Sequence, residues 1–564
     1  MEKNKKHNIL PTSFRLMLFT AFLGGVLAAC SDDHYDAETN PDTRADKTLW
    51  ENICSNSQLT QFAQLAKQGG YDVLLDGENT YTVWAPQDGT FNYEHYAALS
   101  NDDLIKQFLG NQLAPGLYGA SGNVNENITM ANTKTHQLAG SAGNYTIDSL
   151  TVVTPNVPSS NGVMHITDSA LPFRSNLYEY LSSTAGLDSL SAFFRRYETR
   201  VLDVDNSVIG PVVNGEITYL DSVVVESNSL FTSLGRAYLN SEDSTYTMIM
   251  PTNEAWNKGL AKLRSYYNYA PVIWYGSIDT DGRVTSLTMN VDANALGDSL
   301  AHRNLVSDLV FNNRYLANGV LSSAVTGIDS IVSTTGDVFH DKDGEDLFVG
   351  GRREAMSNGF AIVTDSLRMQ PVNSWCKPIV VEAEREATRP ALRYVGDSKT
   401  VTVTASNRSA DAVGSVSGSY IDLLPQSDYA NPEAFFYLPD VLSTTYNIYA
   451  VIVPSNFVGG GSETALPNSL RAEVGCSDES GHKADIDKFS NLISNPAKVD
   501  TMFVGSVTFP VSYAGLDNVY PYLRLYSYAT RSELRSGKYS NELCIDRIIL
   551  VPKEVDDYQE NETH

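Results

Sequence analysis

The sequence predicts an α+β protein: two copies of one helix-and-strand unit, followed by an all-β sandwich. Three observations predict it. Two short phrases recur in the same order in the first two thirds of the chain, and an amphipathic helical pattern precedes the first of them. Beyond about residue 372 that spacing gives way to short runs of β-branched and aromatic residues. A length of 564 residues allows roughly three or four domains.

Residues 1–29 come first. Lys3, Lys5, Lys6 and Arg15 make a positive head, and Leu16 to Ala29 (LMLFTAFLGGVLAA) is an apolar run ending directly on Cys30. A spanning helix needs roughly 20 apolar residues, so this run is too short to cross a bilayer. Its layout is that of a signal peptide. Leu27-Ala28-Ala29-Cys30 resembles the bacterial lipobox. The resemblance implies cleavage before Cys30, with diacylglycerol on its thiol and an acyl chain on the new N-terminus; an ordinary secretory signal is the alternative. Two or more chains anchor firmly where one does not. Ser31-Asp32-Asp33 resembles the export signal of Bacteroidota-type lipoproteins. It implies the outer face of the outer membrane of a Gram-negative bacterium. Residues 30–47 read as the lipidated cysteine and a flexible acidic tether.

The first unit spans 48–173. In LTQFAQLAKQGGYDVL, Leu59, Phe62, Leu65 and Ala66 share one helical face. Tyr81 to Phe91 (YTVWAPQDGTF) then reads as a strand running into a proline turn, and Asn161 to Asp168 (NGVMHITD) as a turn and strand. The second unit, 174–371, carries YTMIMPTNEAW from Tyr246 and SNGFAIVTDSLRMQP from Ser357. Pro86 aligns with Pro251, Asn161-Gly162 with Asn358-Gly359, and Thr167-Asp168 with Thr364-Asp365. These phrases resemble the two signature segments of the fasciclin domain, and the helix before Tyr81 is similar to that family too. The second copy departs at Met250, where the family prefers Ala. Both copies lack the family's central Tyr-His pair. Asn111-Gln112 stand there in the first copy, and Phe311-Asn312 align there in the second. No adhesive property of that pair is carried over.

The second copy is enlarged twice. Val201 to Ser227 alternates like paired strands around Asn214-Gly215, a hairpin signal. Ser265 to Val284 (SYYNYAPVIWYGSIDTDGRV) is dense in aromatics. Insertions emerge at the surface, where binding residues concentrate. Tyr266, Tyr267, Tyr269, Trp274 and Tyr275 are therefore either a contact surface for a ligand or packing of the insertion onto its own domain.

Residues 372–554 form the third domain and 555–564 an acidic tail. IVVEAE, KTVTVTAS, AFFYLPDVLSTTYNIYAVIVP, YLRLYSY and LCIDRIILVP are separated by Gly, Pro, Asn and Ser, as in a β-sandwich. LPDVLSTTYNIYAVIVP and the closing IDRIILVP are similar to jelly-roll modules that include carbohydrate-binding domains. Tyr420, Tyr429 and Tyr520 are the ligand-stacking candidates, with Phe435, Tyr513 and Tyr528 beside them; about half belong to the core.

Four cysteines follow Cys30: Cys54, Cys376, Cys476 and Cys544. None lies in a CxxC and no zinc spacing is present. Cys376 with Cys544 is the pair to test for a disulfide; isolated buried thiols are the alternative. Net charge is −27, which leaves no electrostatic route to phosphate backbones and excludes nucleic acid as a partner.

No catalytic constellation stands out. The nine histidines are scattered, none at i, i+4, and no G-x-S-x-G, P-loop or dinucleotide fingerprint occurs. His165, inside the second phrase, reads as a structural hydrogen-bonding residue. Asp279, Asp281, Asp341 and Asp343 alternate as calcium-loop ligands do, but Asp-Gly is also a preferred hairpin turn, so no metal is assigned. No cofactor beyond the lipid on Cys30 is expected. The leading expectation is a non-catalytic surface lipoprotein that binds glycan or peptide. It would serve beside a starch-utilisation-type (Sus-type) TonB-dependent transporter and its binding lipoprotein. An adhesin acting through the fasciclin-like units is the alternative, and a surface glycan-active enzyme the third.

Overall fold

The computed structural model describes residues 43–556 except 203, 205–207, 214–215, 222–223, 313–315, 318–319, 322–329, 340–346, 460–463 and 485–487. Cys30, Ser31, Asp32, Asp33, Asp341 and Asp343 lie outside the described residues. The chain divides after Phe173 into two compact units.

The first unit opens with helices Leu49–Ser55, Thr60–Gln68 and Tyr71–Leu75. The Thr48 hydroxyl accepts from the Glu51 amide while the Glu51 carboxylate accepts from the Thr48 amide. That box satisfies two donors which a helix start otherwise leaves orphaned. Leu59, Phe62, Leu65 and Ala66 are buried in one cluster. Seven strands follow: β1 Tyr81–Pro86, β2 Leu113–Pro115, β3 Val124–Thr129, β4 Thr135–Ser141, β5 Asn144–Ile147, β6 Leu150–Ser159 and β7 Gly162–Thr167. Their order is β2-β1-β7-β6-β5-β4-β3, with β1 and β7 parallel, Tyr81 opposite Gly162 and Pro86 opposite Thr167. Asn161 pins that register. Its Oδ1 accepts from the Leu49 amide, and its Nδ2 donates to the Leu75 and Gly77 carbonyls, each at 2.8 Å. One side chain thereby ties the start of the Leu49–Ser55 helix and the end of the Tyr71–Leu75 helix to the sheet.

The second unit begins with the same plan. Its strands are β8 Glu198–Leu202, β9 Val208–Val213, β10 Glu216–Asp221, β11 Val224–Asn228, β12 Tyr246–Pro251, β13 Val272–Ile278, β14 Val284–Asn290, β15 Val310–Asn312, four two-residue pieces β16 to β19 between Leu316 and Phe339, β20 Arg352–Met356 and β21 Gly359–Thr364. β9 and β10 pair antiparallel about residues 214–215, where the sequence signals a hairpin. β12 and β21 are parallel, Tyr246 opposite Gly359 and Pro251 opposite Thr364. Asn358 accepts from the Leu177 amide at 2.8 Å and donates to the Leu239 and Ser241 carbonyls at 2.8 and 2.9 Å. The Thr167 and Thr364 hydroxyls likewise donate to Ser169 and Ser366 carbonyls at 2.8 and 2.9 Å. The sequence repeat is a repeat of bonds.

That register corrects one alignment. The Trp84 amide donates to the Gln112 carbonyl in the first copy, and the Ile249 amide to the Leu309 carbonyl in the second. Asn111-Gln112 therefore correspond to Asp308-Leu309. Phe311-Asn312 sit three places further on, inside β15, and the second copy lacks the Pro-Gly that anchors the alignment in the first. Both corresponding positions are buried polar nodes. His136 Nε2 lies 3.0 Å from Asn111 Oδ1. Asp308 accepts from the hydroxyls of Ser333, at 3.1 Å, and Ser374, and burial pushes its carboxyl up to about 7.

The sandwich completes the unit with β22 Ile379–Glu382, β23 Ala391–Arg393, β24 Val395–Thr402, β25 Ser419–Pro425, β26 Glu433–Tyr437, β27 Thr445–Val453, β28 Ser469–Gly475, β29 Phe489–Ile493, β30 Asp500–Thr508, β31 Tyr522–Ser527 and β32 Leu543–Pro552. One sheet runs β24-β25-β32-β27-β30 with β22 also on β32; the other runs β23-β26-β31-β28-β29. A single core continues from Leu177 of the second repeat to Leu550 of the sandwich.

Cys54, Cys376, Cys476 and Cys544 are free thiols. Strand register separates the pair marked for testing. Ile379 lies opposite Leu550, so Cys376 sits beyond one end of β32 and Cys544 near the other. At about 3.3 Å per residue they are roughly 30 Å apart, far beyond disulfide reach. The tail also differs from expectation. Val555 is buried, and Asp556 accepts from Asn447 and the Tyr449 hydroxyl at 2.8 and 2.6 Å.

Candidate ligand-binding face of the sandwich

The insertion aromatics do not form an open contact surface. Tyr266, Tyr267, Tyr269 and Trp274 are all buried. They pack neither onto a ligand face nor onto the second repeat alone, but into its seam with the sandwich. The Tyr266 hydroxyl donates to Glu554 at 2.7 Å and the Tyr269 hydroxyl to the Ala514 carbonyl at 2.6 Å. Burial pushes the Tyr269 hydroxyl up to about 12. Trp274 lies 6.3 Å from the Tyr522 ring, and its carbonyl accepts from the Tyr513 hydroxyl at 2.8 Å. Tyr275 is half-buried against the shared core.

The sandwich candidates divide. Tyr420, Phe435 and Tyr513 are buried. Tyr520 is half-buried, 5.4 Å from the Tyr437 ring. Tyr429 is held between Arg531 and Arg535, whose guanidinium groups lie 5.5 and 5.1 Å from its ring. Tyr528 is 47% exposed, with the Arg471 guanidinium 3.3 Å over its ring. Asp279 is a turn residue: its Oδ1 accepts from the Asp281 and Arg283 amides at 3.0 and 2.8 Å. Asp281 pairs with Arg283. His165 is a structural residue, its Nε2 2.8 Å from the Tyr118 carbonyl and its Nδ1 accepting from the Asn156 amide at 3.2 Å.

Tyr528 leads to a larger feature, the outer face of the β23-β26-β31-β28-β29 sheet. Side chains alternate along a strand, so Ala434, Phe436, Leu523, Leu525, Leu470 and Ala472 face the core. Their neighbours face out. Registers place Arg393 beside Glu433, Glu433 beside Tyr526, and Tyr526 beside Arg471. The next row runs Phe435, Arg524, Glu473. Trp274 and Ile278 of the β13–β14 hairpin cover one end, in a cluster with Phe435 and Tyr522. The other end is open. There Glu433 accepts two bonds from Arg524, at 2.8 and 3.1 Å, and Glu473 a third at 3.3 Å. Arg393 reaches Glu433 at 3.5 Å and Lys488 reaches Glu473 at 3.8 Å. Arg524 is thereby fixed 4.6 Å over the Tyr526 ring.

Arg393, Arg471, Arg524 and Lys488 outnumber Glu433 and Glu473, so a positive island sits on a chain of net charge −27. Planar rings, guanidinium planes and fixed carboxylates together offer stacking surfaces and bidentate hydrogen bonds. Sequence reasoning named Tyr528 and Phe435 here and missed the rest. The missed signal was alternation: LRAEVG, EAFFY and YLRLYS each place charged or aromatic residues at every second position.

A second feature bears on metal. Ser417 donates its amide to Asp546 and its hydroxyl to Glu382, and the Ser419 hydroxyl donates to Glu384 at 2.6 Å. Asp546 is fully buried, and burial pushes its carboxyl up to about 6. One oxygen each of Glu382 and Glu384 is buried with no hydrogen-bond partner. Buried orphan carboxylate oxygens are costly, and the Arg547 guanidinium, 3.7 Å from Asp546, offsets part of that cost. Among the described residues, the acidic group whose ligand atoms lie within 4.8 Å of one another is a different one, Asp422, Glu542 and Cys544. The Cys544 thiol there lies 3.6 Å from Asp422.

Comparison with known proteins bears on the two halves differently. The fasciclin domain family model matches residues 57–172. Residues 57–172 are a fasciclin domain. The second repeat stands on the shared register and bonds given above. No curated protein matches the chain. Among solved structures the chain is similar to a FAS1 domain pair from the insect cell adhesion molecule fasciclin I, at 12% identity and TM-score 0.20, over 56% of this chain and 99% of that one. It is also similar to a family 35 carbohydrate binding module from Clostridium thermocellum, at 13% identity and TM-score 0.17, over 31% and 98%. A Paenibacillus xanthan lyase matches at 14% identity and TM-score 0.18, over 44% and 19%. At TM-scores this low these likenesses carry no inference about function.

Proposed function

We propose that this fasciclin-domain protein is a non-catalytic, lipid-anchored binder on the outer surface of a Gram-negative bacterium, and that its sandwich captures glycan. The observation that carries the reading is the open half of the outer sheet face, where Arg471, Arg524, Tyr526 and Tyr528 present guanidinium and ring planes. Paired Glu433 and Glu473 hold Arg524 in place. The positive balance of that face favours carboxylate-bearing sugars over neutral ones. Cys30 supplies the anchor in this reading, and Ser31-Asp32-Asp33 the export. The ligand is passed to a Sus-type transporter, the tether raising its effective concentration there.

The test is a panel of neutral and uronate-containing oligosaccharides against the full chain. Uronate-containing glycans should bind best, and Arg471→Ala with Tyr528→Ala should weaken them at least about tenfold, as lost stacking and charge-assisted bonds of about 1.4 kcal/mol or more require. Unchanged affinity in that double variant would remove the sheet face as the site.

A further inference from the structure

β14 (VTSLTMN) is the outer strand of a two-stranded sheet, with β13 its one strand partner among the described residues. All seven residues are exposed, including Val284, Leu287 and Met289. None is charged and none is proline. The register runs unbroken from Val272 opposite Asn290 to Ile278 opposite Val284, so no bulge twists the edge away. Edge strands are ordinarily protected by lysine, proline, a bulge or a cover, because their unpaired amides and carbonyls template another strand. β14 has none of these protections.

We propose that β14 pairs antiparallel with β14 of a second copy of this chain, about a two-fold axis at Leu287. The bonding pattern selects that axis. The Asp279 amide donates to the Arg283 carbonyl, and the Val291 amide to the Pro271 carbonyl. Counting by twos from either end, the odd residues of β14 bond inward to β13. The amides and carbonyls of Val284, Ser286, Thr288 and Asn290 therefore point outward. With the axis on Leu287, Ser286 bonds Thr288 and Val284 bonds Asn290 of the second copy. Leu287 meets its counterpart in the narrow, non-bonded pair, and Thr285 meets Met289 on the same face.

Charge favours this partner and this direction. Copies carrying −27 repel wherever acidic surfaces meet, and β14 is an uncharged window in that surface. Antiparallel pairing brings Arg283, 77% exposed, to the end where the second copy carries Asp292. A seven-residue ladder buries less than the roughly 1,200 Å² of a standard interface, so the dimer is weak and strengthens as salt screens the net charge.

The experiment uses the full chain with Cys30→Ser and Cys54→Ser, which leaves only the buried thiols Cys376, Cys476 and Cys544. Facing residues of a narrow antiparallel pair suit a disulfide. On mild oxidation Leu287→Cys should cross-link at least about tenfold faster than Val284→Cys, and a mixture of Val284→Cys with Asn290→Cys should give the heterodimer. Sedimentation should show a parent dimer that grows with sodium chloride and is lost in Leu287→Lys, with the melting temperature unchanged. Equal cross-linking at 284 and 287 overturns the proposal. So does a parent that stays monomeric at high salt and high concentration, or one that captures only a foreign strand.

Discussion

Gly162→Ala unfolds the first repeat, and Gly359→Ala does the same to the second. The two glycines hold φ of +155° and +138°, where a side chain is strained before any contact is made. Contact is worse. A Cβ on Gly162 would lie 2.1 Å from the Tyr81 carbonyl oxygen, and one on Gly359 1.8 Å from that of Tyr246. Both oxygens are backbone of the parallel partner strand and cannot swing away as a side chain can. Relief requires parting the β1–β7 or β12–β21 pair inside its sheet, next to the asparagine that ties in the helices. We expect a loss of about 4 kcal/mol or more at each position, a large share of a domain's stability. Gly89→Ala is the control. It shares a positive φ, +75°, but a Cβ there meets nothing within 4 Å, so it should cost about 1 kcal/mol. Denaturant titration followed by circular dichroism separates the cases. Equal losses at Gly89 and Gly162 would mean that the close approach is not what fixes this position.

Trp274→Ala should cost about 3–5 kcal/mol and loosen the sandwich from the second repeat, as expected for truncating a buried tryptophan. The ring fills the cluster of Ile278, Ala391, Phe435 and Tyr522, and Lys483 lies 5.6 Å over it. Removing it opens a cavity between the β13–β14 hairpin and the outer sheet face. In the parent the shared core predicts one calorimetric transition for residues 174–556, separate from that of the first unit. In the variant that transition should broaden or split, the sandwich and repeat melting apart. A single, unshifted transition would show that the seam is not a cooperative contact.

The repeat was legible because its signals are local. Asn-Gly before a strand and Pro at a strand end each declare a backbone need within a few residues, and each recurs. The helical face of Leu59, Phe62, Leu65 and Ala66 was legible for the same reason. The Asp308 correspondence was not: the second copy has lost its Pro-Gly, and only the bond from the Ile249 amide to Leu309 reveals the alignment. The aromatics from Tyr266 to Tyr275 announced burial or binding equally well, since sequence periodicity does not say which surface an insertion meets. The sheet face needed neighbours that lie far apart in the chain. Arg471, Arg524 and Glu433 come from three strands, and nothing in the order of those strands is written locally. The carboxylate nest joins Glu382, the last residue of β22, and Glu384, in the turn just after it, to Asp546 on β32, near the far end of the domain's sequence.

The most direct measurement is hydrogen exchange of the full chain with and without the tightest-binding acidic glycan. A glycan-binding sheet face predicts protection confined to Glu433–Tyr437, Ser469–Gly475 and Tyr522–Ser527, with Tyr81–Pro86 and Tyr246–Pro251 unchanged. Protection in the two repeats, with the sandwich strands exchanging as before, would contradict it.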